Sequence, residues 1–214
     1  MRANIREFFE FLLRFPLIAG FLAIFLLVGL VHAETSRDRE ALLPPLRLGV
    51  ELPYSVLADP SGKLTHKEVS ALPTDRFAKR QGAFAAGFTP SAFWLRIDLP
   101  AEAWSDQESW LVLSPPFIDS VQVFESTAIG WRQHDGGDLL PLSTREMDYR
   151  DFVFRLKPHG DQPLYIRVAS TSTIILYGAL WQPAAFANQA LPEARNWGLY
   201  FGTMAFIGIV LIGL

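Results

Sequence analysis

Apolar and polar side chains alternate with a period of two in several short runs along the middle of the chain. The runs are Leu46, Leu48 and Val50; Phe93, Leu95, Ile97 and Leu99; Val121 and Val123; Phe152, Phe154 and Leu156; and Leu164, Ile166 and Val168. A strand turns successive side chains to opposite faces, so each run predicts a short strand with one face buried. Trp110 to Leu113 and Ile174 to Tyr177 are more continuously apolar and read as central strands. Turn residues separate the runs. Asp59-Pro60-Ser61-Gly62 has Asp, Pro and Gly at the first, second and fourth positions of a type I turn. Pro115-Pro116 and the stretch from His134 to Asp138 punctuate later. Thr65 followed by Glu68 fits a capping box, which predicts a short helical turn from about His66 to Ala71. Seven to nine strands with almost no helix make the expected fold class all-β, a jelly-roll-like antiparallel β-sandwich.

The two ends carry a different pattern. Arg2, Arg6 and Arg14 precede an uncharged apolar run from Phe15 to Val31, and Val31-His32-Ala33 before Glu34 resembles a cleavage site. Residues 1–33 therefore read as a secretory signal peptide or, uncleaved, as a signal anchor. In either case the arginines hold that end in the cytoplasm and send the downstream chain across the membrane. Residues 34–45 are polar, end in Pro44-Pro45 and suit an extended linker. The folded domain is expected over 46–190. From Trp197 to Leu214 no side chain is charged. The segment 196–214 reads as the start of a transmembrane helix that the sequence cuts short, in preference to a tail anchor, and Gly198 and Gly202 have the spacing that lets two such helices approach. The expected location is the bacterial inner membrane, with the main domain in the periplasm.

At 214 residues the chain has room for one domain of about 150 residues beside those ends. Half of it is apolar, but the excess lies at the ends, and the middle is ordinary. The formal net charge is −3, and the three N-terminal arginines leave the remainder more acidic still, which disfavours nucleic acid as a partner. Cysteine is absent. That excludes disulfides, thiol nucleophiles, iron–sulfur ligation and cysteine-based zinc sites.

No catalytic constellation assembles. His32, His66, His134 and His159 are scattered without HxH or HxxxH spacing and read as surface residues, and no nucleophile elbow or phosphate-cradling loop is present. Glu51, Asp98, Asp119 and Asp151 offer carboxylates for sugar hydrolysis, but nothing in the sequence pairs them. An enzyme is the least favoured class, and no metal or cofactor is expected. Binding is favoured by what lies opposite the apolar stripes. With Phe93, Leu95 and Ile97 inward, Trp94, Arg96 and Asp98 share the outer face, and with Leu164, Ile166 and Val168 inward, Tyr165 and Arg167 do the same. An aromatic ring stacks on a sugar while an arginine forks onto a hydroxyl or carboxylate. Trp94, Arg96, Tyr165 and Arg167 are therefore the candidate ligand-binding residues, against a purely structural role in which the tryptophan packs under a loop and Arg96 pairs with Asp98. The expected partners are a carbohydrate or other small periplasmic ligand and the membrane. The competing reading is a protein–protein module that docks to a second copy or to a partner sensor.

Four segments in order resemble a known family. They are LADPSGKLTHKEV from Leu57 to Val69, GFTPSAFWLR from Gly87 to Arg96, WLVLSPPFIDSVQVF from Trp110 to Phe124, and LYIRVAS from Leu164 to Ser170. Together they resemble extracellular domain 2 of the bacterial seven-transmembrane receptors with diverse intracellular signalling modules (DISM), over about residues 46–185, with the stretch from Asn196 resembling the family's first membrane helix. The resemblance implies a periplasmic jelly roll like carbohydrate-binding modules. It also implies a membrane bundle and a cytoplasmic output such as a diguanylate cyclase or histidine kinase. Gly136-Gly137-Asp138 is no cyclase motif, because Leu139-Leu140 follow where an acid and an aromatic would be needed.

Overall fold

The computed structural model describes residues 44–99 and 106–212, with side chains described for all of these except 191–194 and 210–212. The signal or anchor segment 1–33 and most of the linker lie outside the described residues. The strands, in chain order, are β1 (Leu46–Arg47), β2 (Tyr54–Asp59), β3 (Ala78–Arg80), β4 (Phe84–Phe88), β5 (Ala92–Ile97) and β6 (Ser109–Ser114). They continue as β7 (Ser120–Thr127), β8 (Gly130–Gly136), β9 (Phe152–Leu156), β10 (Leu164–Ala169) and β11 (Thr173–Trp181). The helices are α1 (His66–Ser70) and α2 (Pro183–Ile212). Eleven strands among the described residues exceed the seven to nine expected. The short β1 and β3, and β4 with its two alanines and a glycine, are too brief or too weakly patterned to be read from alternation.

All pairings between these strands are antiparallel. One sheet runs β1-β11-β6-β9, with β4 also on β11, and the other runs β3-β2-β5-β10-β7-β8. Taken from β4 onward, the order is β4-β11-β6-β9 facing β5-β10-β7-β8. This is the strand order of an eight-stranded jelly roll, and the fold class expected from the sequence is the one observed.

The inward stripes of both sheets meet in one core that includes Leu95, Ile97, Leu111, Leu113, Val121, Val123, Phe152, Phe154, Ile166, Val168 and Leu176. Every apolar stripe named from β5, β7, β9 and β10 contributes to it. The type I turn also forms. Gly62 N donates to Asp59 O at 3.1 Å, while the buried Asp59 carboxylate accepts from the backbone N–H groups of Ser61, Gly62 and Leu64. The capping box closes in both directions, with Glu68 N donating to Thr65 Oγ1 at 3.3 Å and Thr65 N donating to Glu68 Oε2 at 2.8 Å. Thr65→Ala is expected to lower stability by about 1 kcal/mol, read by urea unfolding; a loss under a few tenths would show that α1 is held by packing alone.

Helix α2 opens with proline at its first position, where the missing N–H is no loss. It therefore starts well before the apolar run from Trp197 that marked the expected membrane segment. Among the described residues no helix is long and apolar enough to cross a membrane. No described atom outside the helix's own backbone approaches within 4 Å of where a Cβ would stand on Gly198 or Gly202.

Candidate functional site

Trp94, Arg96, Tyr165 and Arg167 do share one face and lie side by side. Register places Arg167 opposite Trp94 and Tyr165 opposite Arg96 on β10 and β5. The face is not open, however. Loop 60–65, α1 and the segment to Phe77 cross it and bury it, leaving Trp94 1% and Tyr165 4% exposed. Val69, Phe77 and Phe124 complete a second apolar cluster with them. Arg96 is taken up by Asp98 at 2.9 Å and by Thr74 Oγ1 at 2.9 Å. Arg167 donates to Gly62 O at 2.8 Å and to Gln122 Oε1 at 3.4 Å. Alternation sets the face of a side chain but says nothing of a connection that returns over that face. A cleft of about 500 Å³ remains beside α1, lined by Trp94, Phe124, His66, Lys67, Gln122 and Arg167 among others.

The opposite sheet carries an aromatic groove of about 500 Å³ on its outer side. Inward residues of β6 alternate with Val112 and Ser114, which point outward to its floor, and Tyr177, Ala179 and Trp181 of β11 extend that floor. One wall is Arg47 with Leu48 and Val50, and another is the segment Tyr149 to Asp151. The third is the beginning of α2, through Phe186, Gln189 and Ala190. Phe186 is the joint. Its ring meets Tyr149 at 5.0 Å, Trp110 at 5.4 Å and Trp181 at 5.9 Å, each edge to face. Tyr177 is 58% exposed and turns its ring toward the groove and solvent. Glu51 accepts from Arg47 and is held down at about 2 by that hydrogen bonding, so both are charged at neutral pH. Arg150 lies 3.5 Å from Asp151. A mostly apolar floor with rings, two guanidiniums, a carboxylate and an amide at its margins can take a ring-bearing polar molecule edgewise. Sequence reading missed this groove because its residues come from β1, β6, β11, a loop and a helix. The alternating position of Tyr177 and Trp181 on β11 was the one available signal.

His134 corrects a second expectation, since it is not a surface residue but 8% exposed at the edge where the two sheets meet. Its Nε2 lies 3.0 Å from Glu125 Oε1, and its Nδ1 contacts Glu146 Oε1. Glu125, fully buried, also accepts from Arg132 and from the backbone N–H of Lys157, and Glu146 accepts from the backbone N–H of Arg155. Burial by itself pushes the imidazole down. Hydrogen bonds to both glutamates, with their charges, outweigh it and raise the pKa to about 9. The signal was present, because continuing the period from Val121 and Val123 places Glu125 inward.

The remaining histidines and carboxylates stay apart. His66 is stacked in the aromatic cluster, with burial pushing its pKa down, and His159 pairs with Asp106 at the surface. Asp119 accepts from Ser170 and Thr171, so each of the four carboxylates considered for hydrolysis has its own separate partner. Among the described residues no group of three or more His, Asp or Glu could hold a metal ion. No curated protein matches the chain. A family model described as 7TMR-DISM extracellular 2 matches residues 53–182, which spans β2 to the end of β11 and includes both outer faces, and the chain belongs to that family of receptor extracellular domains.

Proposed function

We propose that this domain is a periplasmic ligand sensor of a transmembrane receptor and that its ligand, a carbohydrate or a similar ring-bearing polar molecule, lies in the groove between the β11 sheet and α2. One observation carries the reading: the first turns of α2 form a wall of that groove. A molecule seated on Tyr177 and Trp181 touches Gln189 and Ala190 on the other side, so occupancy favours one placement of the helix over another. A ligand shifts an equilibrium only by its difference in affinity between two arrangements, and a site shared between sheet and helix supplies that difference. Beyond the groove α2 exposes Trp197, Tyr200, Phe201, Met204 and Ile207. We assign these to the bilayer or to further membrane helices of an inner-membrane receptor, which place the helix to pass the shift inward.

The test is calorimetric titration of the chain in nanodiscs with a panel of mono- and disaccharides, against Tyr177→Ala. That residue is largely exposed, so its truncation leaves the core intact. A hit weakened tenfold or more in the variant supports the groove, as expected for loss of one stacking ring worth about 1.4 kcal/mol. An equal hit in both proteins rejects the groove, and no hit rejects the sugar. The docking reading is favoured by a separate observation, the exposed leucines Leu139 and Leu142 on the loop after β8. It predicts concentration-dependent self-association that Leu139→Ser abolishes.

A further inference from the structure

The cleft beside α1, on the outer face of the other sheet, contains an unusual defect. Among the described residues three buried polar side-chain atoms lack a hydrogen-bond partner, and two of them, Trp94 Nε1 and His66 Nε2, belong to residues that line this one cleft. Buried donors are satisfied in the great majority of cases, so an orphan calls for a cause. The Phe124 ring, which is nearer to the indole than the His66 ring, does not provide one for Trp94. The indole N–H lies in the plane of its ring, and the Phe124 plane, 5.5 Å away, is inclined by only 30°, too nearly parallel for the N–H to point into it.

The charges around the cleft point the same way. Arg167 and Lys67 line it, and among the described residues no carboxylate pairs with either. The acids around the cleft are held by other groups: Asp135 by the amide nitrogens of Gln122 and Gln133, at 3.0 and 2.8 Å, Asp59 by its turn and Glu68 by Thr65. The guanidinium of Arg167 makes two hydrogen bonds, both to neutral oxygens. The rest of the lining mixes apolar and aromatic side chains, from Leu64, His66, Trp94 and Phe124, with the neutral polar Thr65, Gln122 and Gln133, and it includes no carboxylate.

We infer that this cleft is a second binding site, independent of the groove, for a small organic anion in which a carboxylate is joined to an apolar or aromatic body. The carboxylate accepts from Arg167 and lies within the field of Lys67, and its second oxygen takes the unmet N–H of Trp94. The body of the ligand packs on Phe124 and Leu64. Both orphan atoms are sealed from solvent, and His66 is the ring that moves to admit the ligand. It sits between Phe124 at 4.6 Å and Trp131 at 4.3 Å. Turning it costs Nε2 no hydrogen bond, because Nε2 has none.

The experiment is calorimetric titration of the full chain in nanodiscs with benzoate, with benzyl alcohol and acetate as controls that remove the charge and the ring in turn. Saturable binding of benzoate is expected, at least tenfold weaker for both controls and for Arg167→Gln. Lys67→Gln removes an exposed charge and cannot unfold the domain, and a two- to fivefold loss is expected. Trp94→Phe keeps an aromatic ring but deletes the N–H together with one of the two fused rings, with a loss of at least similar size. In a nitrogen–proton correlation spectrum the indole N–H resonance missing from Trp94→Phe should move downfield with benzoate in the parent. Tyr177→Ala should leave benzoate binding unchanged, which separates this site from the groove. Absence of saturable binding would overturn the inference. So would benzoate binding that Lys67→Gln and Trp94→Phe leave at parental strength, or a Trp94 resonance that does not move.

Discussion

Glu125→Ala should lower the unfolding free energy by about 3–5 kcal/mol, a large share of the roughly 5–15 kcal/mol typical of a domain. The side chain is fully buried between the sheets and accepts from His134, Arg132 and the Lys157 backbone N–H at 3.0, 3.1 and 2.6 Å. Its removal leaves a buried imidazolium with one partner fewer and a backbone N–H with none. Breaking a buried pair costs more than forming it gains, because the stranded group keeps its desolvation penalty. Urea midpoints with an unchanged slope would read this out, and a loss below 1 kcal/mol would mean that water replaces Glu125 at no cost. The same cluster sets a pH dependence. The His134 pKa is raised from 6.5 to about 9 on folding, so the folded state holds the proton more tightly than the unfolded chain. Its contribution is fully present below about pH 6.5 and is lost as pH rises to about 9. Stability should fall across that window in the parent and stay flatter in His134→Gln. Equal slopes would mean the imidazole is neutral in the fold.

Gly49→Ala should cost roughly 2–4 kcal/mol, from a strained dihedral and a forced displacement together. Gly49 has φ +77°, and a Cβ there would stand 2.0 Å from Gly82 O. That contact cannot be relieved by a side-chain rotation, because both partners are backbone and Gly82 N donates to Gly49 O at 2.9 Å. Gly62 is the control. It has φ +62° but open space where a Cβ would go, so Gly62→Ala meets only the conformational penalty, about 1 kcal/mol. If both variants lose the same amount, the close approach to Gly82 is not the cause. Gly49 lies between Leu48 and Val50 on the groove wall, so Gly49→Ala should also weaken any groove ligand that Gly62→Ala leaves alone.

The contrast between Trp94 and Tyr177 explains what could be read from the sequence and what could not. Period two placed Trp94, Arg96, Tyr165 and Arg167 on one outer face correctly, and the register brings them together. Alternation is a property of a single strand, so it reaches one sheet face and stops. Whether that face is open depends on where residues 60–77 travel, which the chain settles by packing Val69 and Phe77 onto Trp94 and Tyr165. Nor could it assemble the groove, whose residues are separated by more than a hundred positions from Arg47 to Trp181.

By itself the sequence determined the inward stripes, the type I turn at Asp59, the capping box at Thr65 and the all-β class, because each arises from contacts within a few residues. The jelly-roll order, the covering of Trp94, the burial of His134 between Glu125 and Glu146, and the seating of Phe186 against three rings were decided only by tertiary structure. Each joins segments far apart in the chain, and the core they share, not any local preference, selects which of them meet.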